Sequence, residues 1–425
     1  MIESQKETNN GDKESIKNKA EVLLKNTKLF DLITEDELSK TISGEIATVK
    51  AIFLSLCGIW VEDVQINTIV SSESSSGKSY VCKKIIEIFP SELVQYRTKI
   101  TPEAFTYWHN SKSEPEWTWN GKICYIEDAS QMVMDSPTFR VMSSEGSIAT
   151  VVRNQQSIDI RINGKPCMLI TTANTNPTKE LLNRFNIINM DETEIQSHRI
   201  LEKTAEFAEN IFKVNYNPIV LESLRLLKRV PVIMPFAKKI VNHFPLDDIR
   251  VRRDFKRFLD LITASCALHQ YQRERDYEGN FIAEEQDYEL AKEAIISMQS
   301  NNTFGLTHQL KKAFQKCIEI YKLPEYEQGF STKEIHAFAP IFSDRYWYTA
   351  LAKLCQNKLL KTSLRKDTLS DKKITVYYPI SKGIIKLPPF FMLDNDTSNC
   401  SNPSIGSNVN EANELNEQTT SKEGS

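Results

Sequence analysis

The stretch that most restricts how this chain can fold is Ser72-Glu73-Ser74-Ser75-Ser76-Gly77-Lys78-Ser79. An apolar run, Ile66 to Val70, enters it, and a run of helical character, Tyr80 to Phe89, leaves it. Strand, tight loop of small residues, Gly-Lys-Ser and helix, in that order, make the phosphate-binding P-loop arrangement. Backbone N–H groups of such a loop wrap around polyphosphate, and the helix N-terminus adds its dipole. Ser74, Ser75, Ser76 and Gly77 are the candidate cradle, and Tyr80 follows on the helix. Lys78 is placed to reach the β- and γ-phosphates, and the Ser79 hydroxyl to ligate Mg²⁺. The first loop position, ordinarily glycine, is Ser72, which keeps the loop small but gives up easy access to positive φ. The competing reading of these residues is a Ser-rich surface turn.

The whole chain bounds what surrounds this loop. Its 425 residues suggest two to four domains at about 100–200 residues each. Net charge is −3, so a nucleic-acid surface has to be local. No apolar run reaches the ~18 residues of a membrane span. The opening MIESQKETNNGDKES has no apolar signal core. A cytoplasmic protein without a membrane partner is expected. The eight cysteines are scattered singly, with no C-x-x-C pair, and read as small core hydrophobes rather than a zinc or disulfide framework.

Residues 1–18 are polar and expected to be disordered. Residues 19–44 read as a small helical piece, and a helical run from Glu45 to Trp60 precedes the P-loop strand. Trp117 and Trp119 fall in a loop, either packed or facing a partner. The second informative stretch is Lys122-Ile123-Cys124-Tyr125-Ile126-Glu127-Asp128. Apolar residues ending in two carboxylates describe a buried parallel strand that delivers acids at its C-terminal end, where ligands of open α/β sheets bind. In P-loop enzymes one such acid holds Mg²⁺, directly or through water, and the second polarises the attacking water. By position Glu127 takes the metal side and Asp128 the water side, although the usual order is Asp then Glu. Residues 148–152 and 157–162 read as a β-hairpin, with Arg153 near its tip and Arg161 on its second strand. Both arginines are candidates for phosphate contact, the alternative being a solvated hairpin. A further buried strand, Pro166 to Ala173, ends at Asn174, whose amide can orient the attacking water. Arg184 follows between a short helix and another strand, where an arginine can stabilise charge on a transferring phosphoryl group.

P-loop, acidic strand, inserted hairpin, Asn-ended strand and Arg184-Phe185 in this order resemble the AAA+ ATPases. Within that class the chain is similar to the MCM-like and superfamily 3 helicases and to helicase or primase-associated ATPases of mobile elements and viruses. The resemblance spans roughly residues 45–295. It implies an ATP- and Mg²⁺-dependent DNA helicase or translocase in a homo-oligomeric, hexameric ring, with a primase or other replication protein as a further partner. Lys78, Ser79, Glu127, Asp128 and Asn174 would act in cis, Arg184 on the neighbour's ATP, and the hairpin near Arg153 on DNA. A helical lid is implied too, with Arg252 or, as the better match, Arg253 near the phosphates. The alternative is an AAA+ initiator, loader or regulator that uses ATP for assembly without unwinding.

An acidic stretch at Glu284-Glu285 and a polar one at Ser300-Asn301-Asn302 suggest a boundary. After it, three helix-like runs (Thr307–Tyr321, Thr332–Phe338 capped by Ser331, Asp344–Leu360) precede two strands around a basic turn. Three helices and a β-wing make a winged helix, placed at 300–390. Its third helix would read a groove with Arg345 and Lys353, while Arg365, Lys366, Lys372 and Lys373 meet phosphates. Such domains also serve as protein-binding modules. Residues 394–425 read as a disordered tail. The expected fold is therefore α/β, an AAA+ P-loop parallel sheet with a helical lid, followed by an α+β winged-helix domain.

Overall fold

The computed structural model describes residues 2–72, 76–108, 117–143, 147–153, 156–173, 181, 183–209, 215–244, 251–299, 308–356, 359–366, 373–379 and 387–393. The chain forms two bodies, residues 1–387 and 388–425. Of the second, residues 388–393 are described and hold one 3-10 turn, Phe390–Met392.

The first body is built on a five-stranded parallel sheet in the order β2-β3-β6-β1-β7. The strands are β1 (Thr68–Ser71), β2 (Val94–Arg97), β3 (Ile123–Ile126), β6 (Cys167–Thr172) and β7 (Asn186–Asn189). β1, β3 and β6 are buried throughout, which is why they read as unbroken apolar runs. Ile69, Cys124, Ile126, Met168 and Ile170 share one face and pack with Phe105, Trp119, Phe139 and Phe185. Trp119 is fully buried and meets Trp117 edge-on at 4.8 Å, so this tryptophan pair is core packing. By alternation, Val70, Tyr125 and Leu169 take the other face, against the P-loop helix Lys78–Ile86. Between β3 and β6 the chain makes an antiparallel hairpin, β4 (Ser147–Arg153) and β5 (Gln156–Ile162), a separate two-stranded sheet rooted by buried Ile162.

Over the stretch 1–18, expected to be disordered, the described residues form a helix, Ile2–Leu24. Its residues are mostly polar helix formers, and among the described side chains its core-facing Ala20 and Leu24 come at its end, so apolar periodicity could not reveal it. It packs against the helix Pro218–Leu226. Gln272 Nε2 then donates to the carbonyls of Leu24 (2.8 Å) and Asn26 (2.9 Å), and Gln286 Nε2 to that of Thr27 (2.8 Å), tying the segment down. At Glu284-Glu285, read as a boundary, the helix Glu285–Gln299 begins, and acidic side chains there complement the helix dipole. That helix packs against Val251–Leu268, and the parallel pair β8 (Val232–Ile233) and β9 (Phe281–Ile282) lies alongside.

Residues 308–379 assemble a hydrophobic core of their own around Phe314, Phe330, Trp347, Leu351 and Leu354. Helices His308–Tyr321, Thr332–Phe338 and Asp344–Gln356 are followed by the antiparallel pair β10 (Leu360–Lys366) and β11 (Lys373–Pro379). Phe330 bridges to Tyr377 as a third edge. Ser331 and Glu334 form a reciprocal capping box that starts the second helix.

Candidate active site

Gly77 opens the P-loop helix at φ +84°, with nothing within 4 Å of where a Cβ would stand, so glycine is required there for backbone freedom and not for space. The next residue, Lys78, is buried, and its Nζ donates to the Ser72 carbonyl at 2.9 Å. Ser72 and Ser76 share a hydroxyl–hydroxyl hydrogen bond across the loop. Among the described residues the non-glycines at positive φ are Glu45, Asp63 and Asp128, so Ser72 does not need the freedom that a glycine would supply. Burial pulls the Lys78 ammonium below the usual lysine value, opposed by the charges of Asp128 and Glu192. Glu73, Ser74 and Ser75 lie outside the described residues.

The strand order brings the carboxylates to this lysine, because β6 alone separates β3 from β1. Glu127, just past β3, accepts from Tyr96 Oη and from Lys83 Nζ at 2.9 Å, with the Ser79 hydroxyl close by. Burial pushes the Glu127 carboxyl up, but these three groups prevail and hold it below the ordinary value. Asp128 turns away at φ +49°, its N–H donating to Thr171 Oγ1 at 2.9 Å. Lys83 and Tyr96 were missed in the sequence. Their pairing with Glu127 joins the P-loop helix and β2, elements whose contact no local pattern encodes.

The other candidate residues are distributed as follows. Asn174 lies outside the described residues, but β6, which leads to it, pairs directly with β3. Arg184 donates to the Arg140 carbonyl at 2.7 Å, at the end of the short helix Pro137–Met142. Arg252 and Arg253 are exposed on the first turn of Val251–Leu268. One turn on, Arg257 donates to the Phe185 carbonyl at 2.9 Å and pairs with Asp254 at 3.2 Å, linking that helix to the Arg184 segment. Tyr80 donates to the Thr41 carbonyl at 2.9 Å. Arg153 and Arg161 sit on β4 and β5, and their side chains are not among those described. Arg345 and Lys353 are exposed on the helix Asp344–Gln356, together with Tyr348 and Thr349. Arg365 is committed inward: it donates to the Gly329 carbonyl at 2.7 Å and to Glu334 at 2.5 Å. Lys372 lies outside the described residues. One feature had no clear sequence signal: an open cleft of about 600 Å³ after β2, lined by Arg97, Lys99, Glu103, Tyr107 and Trp108 among others.

Residues 14–223 match the family model described as the MTBMA_p00010 P-loop domain. The chain carries a P-loop domain. No curated protein matches it. The matched stretch begins in the N-terminal helix and ends in the helix Pro218–Leu226, and these two helices pack on each other, so the P-loop domain closes on itself in space. A P-loop domain implies nucleotide binding, typically with Mg²⁺. The residues here fit that pair: a loop of small residues, a buried lysine, and a hydroxyl set against an ionised carboxylate. Mg²⁺ keeps several waters and takes few protein oxygens, which matches Ser79 beside Glu127. When bound, the metal would neutralise charge on the terminal phosphates. Lys78 supplies a cation at the loop, and Asp128 presents a carboxylate beyond the strand end. No helix among the described residues is long and apolar enough to cross a membrane.

Proposed function

We propose that this protein is an ATP-driven DNA translocase or helicase that works as a homo-oligomeric ring. The observation that carries the nucleotide part of this reading is the convergence of Lys78 and Ser79 with Glu127 and Asp128 at the C-terminal edge of the sheet. In this reading Glu127 and Ser79 hold the Mg²⁺, Asp128 polarises the attacking water, and Asn174 orients it. Arg184 serves the nucleotide of an adjacent subunit, and Arg253 reaches phosphate from the lid. Supporting the DNA part are the hairpin β4–β5 inserted beside the catalytic strand, and a C-terminal three-helix unit with a two-stranded wing. The winged-helix reading places Arg345 and Lys353 against DNA, while Arg365 is already engaged within the protein. A replication partner such as a primase would dock elsewhere on the ring.

The test is ATP hydrolysis with and without single-stranded DNA, beside Lys78→Ala and Arg184→Ala, followed by strand separation. DNA-stimulated turnover lost in both variants, with unwinding in the wild type, is the expected result. A Lys78→Ala protein that still unwinds DNA with ATP would falsify the motor reading. The second reading, an initiator or loader, gains from the separate core of residues 308–379, which in this reading would hold DNA without any stroke. Slow, DNA-stimulated hydrolysis with no strand separation would establish it instead.

A further inference from the structure

The open cleft of about 600 Å³ begins at Arg97, the last residue of β2. It stands at the C-terminal edge of the parallel sheet, where ligands of open α/β sheets bind. The Arg97 carbonyl accepts the Glu127 N–H at 2.9 Å, so the cleft adjoins the strand that ends in the acidic pair.

Its lining joins two kinds of side chain. Arg97 and Lys99 are both exposed, and among the described residues neither has an ion-pair partner. Arg97 Nη1 donates to the Tyr96 carbonyl at 2.7 Å, a bond that leaves its charge uncompensated. Glu103 is the one acid among the described lining residues, so cations outnumber it. Aromatic rings make up the rest of the argument. Trp108 is half-buried and held by its neighbours: Phe105 stacks on it at 5.7 Å, and Trp119 meets it at 4.8 Å. The Arg97 guanidinium lies over the Trp108 ring, 4.6 Å from its centre, so a fixed indole sets the cation in the cleft wall. Tyr107, also in the lining, is 57% exposed, a large ring left uncovered beside that cation.

Uncompensated cations suit phosphodiesters, and uncovered rings and guanidinium planes suit the faces of unpaired bases. An acidic peptide would use the cations and leave the rings idle. A duplex covers its base faces by its own stacking. We propose that this cleft is a site for single-stranded DNA, with Tyr107 and the Arg97 guanidinium stacking against bases and Lys99 meeting a backbone phosphate. The inference rests on the DNA part of the reading above and deepens it, because it gives the unpaired strand a place on the P-loop domain itself. Glu103 opposes phosphate, so stacking supplies most of the affinity.

The experiment uses the full chain and fluorescein-labelled oligothymidylate, read by anisotropy at several salt concentrations. A labelled duplex, N-methylanthraniloyl ATP and thermal melting are measured alongside. Tyr107→Ala removes an exposed ring and should weaken single-strand binding about tenfold. Its melting, duplex binding and ATP binding should match wild type. Lys99→Ala should lower the slope of log affinity against log salt by about 0.7, the value of one phosphate contact on a single strand. Single-strand affinity unchanged in both variants overturns the proposal. An equal loss on duplex and single strand also overturns it, since that would show a general basic surface. Loss of ATP binding in Tyr107→Ala with the strand still held would assign the cleft to a free nucleotide, again overturning it. If the wild type binds no single strand at any salt concentration, the DNA reading itself falls, and that is visible before any variant is compared.

Discussion

Asp128 occupies a backbone region that L-residues other than Asn and Asp rarely visit, and it does so immediately after the strand that carries Glu127. The Thr171 hydroxyl holds it there by accepting its N–H. Two predictions follow from this at the level of single residues. Asp128→Asn tolerates the same backbone, so melting should stay within a few degrees of wild type while ATP turnover drops by about 10²-fold or more. A nucleotide hydrolysis assay beside a melting curve checks both. Gly77→Ala meets no steric wall but is forced to positive φ, at a cost of about 1 kcal/mol or more, with nucleotide affinity falling as the loop shifts. Equilibrium denaturation and nucleotide titration would measure that pair of effects.

Elements decide what an arginine is for. Arg345 and Arg365 are equally basic in the sequence, yet one stands on an exposed helix face and the other ties β10 to the start of the helix Thr332–Phe338. Burial pushes the Glu334 carboxyl up, but bonding to Ser331 and to Arg365 outweighs it and keeps the group below its usual value. Arg365→Ala should therefore destabilise the 308–379 unit by roughly 1–3 kcal/mol, because Glu334 and the Gly329 carbonyl lose a donor. Arg345→Ala should leave stability within about 0.5 kcal/mol and lower DNA affinity instead, with a shallower salt dependence. Denaturant titration of both variants, with DNA binding at two salt concentrations, separates the roles. Equal destabilisation by the two substitutions would contradict this division.

At the scale of the first body, residues 1–387, a buried ion network joins the helix Val251–Leu268 to the helix Glu285–Gln299. Asp287 accepts from Arg273 Nε at 2.8 Å, from Ser265 Oγ at 2.7 Å and from the Glu284 N–H at 3.0 Å, and it faces His269. Burial pushes its carboxyl up, but bonding to His269 and Arg273 outweighs this and holds it at about 2. A carboxyl depressed in the folded state contributes stability that is fully present above its unfolded value. That contribution fades as pH falls from about 4 through about 2. Acid unfolding should steepen in this window and flatten in Asp287→Asn. Asp287→Ala takes from buried Arg273 its nearest carboxylate, leaving Glu284 at 3.5 Å, and should cost about 3–5 kcal/mol, measured by denaturation at neutral pH. At the same scale, Leu24→Ala should cost about 2–4 kcal/mol, since the N-terminal helix is part of the packed body.

The sequence by itself determined the parts whose cause is local. Gly77-Lys78-Ser79 between an apolar run and a helix, four apolar residues ahead of Glu127-Asp128, the capping residue Ser331 and the hairpin alternation were all legible, because backbone conformation and strand burial are set within a few residues. Only the tertiary structure decided the rest. It set which strand lies between β1 and β3, and that Lys83 and Tyr96 close on Glu127. It made Arg365 structural and Arg345 exposed, and it drew a polar N-terminal helix onto Pro218–Leu226. Each of these joins residues far apart in the chain, and their energy comes from packing and desolvation that exist only once the whole body has closed.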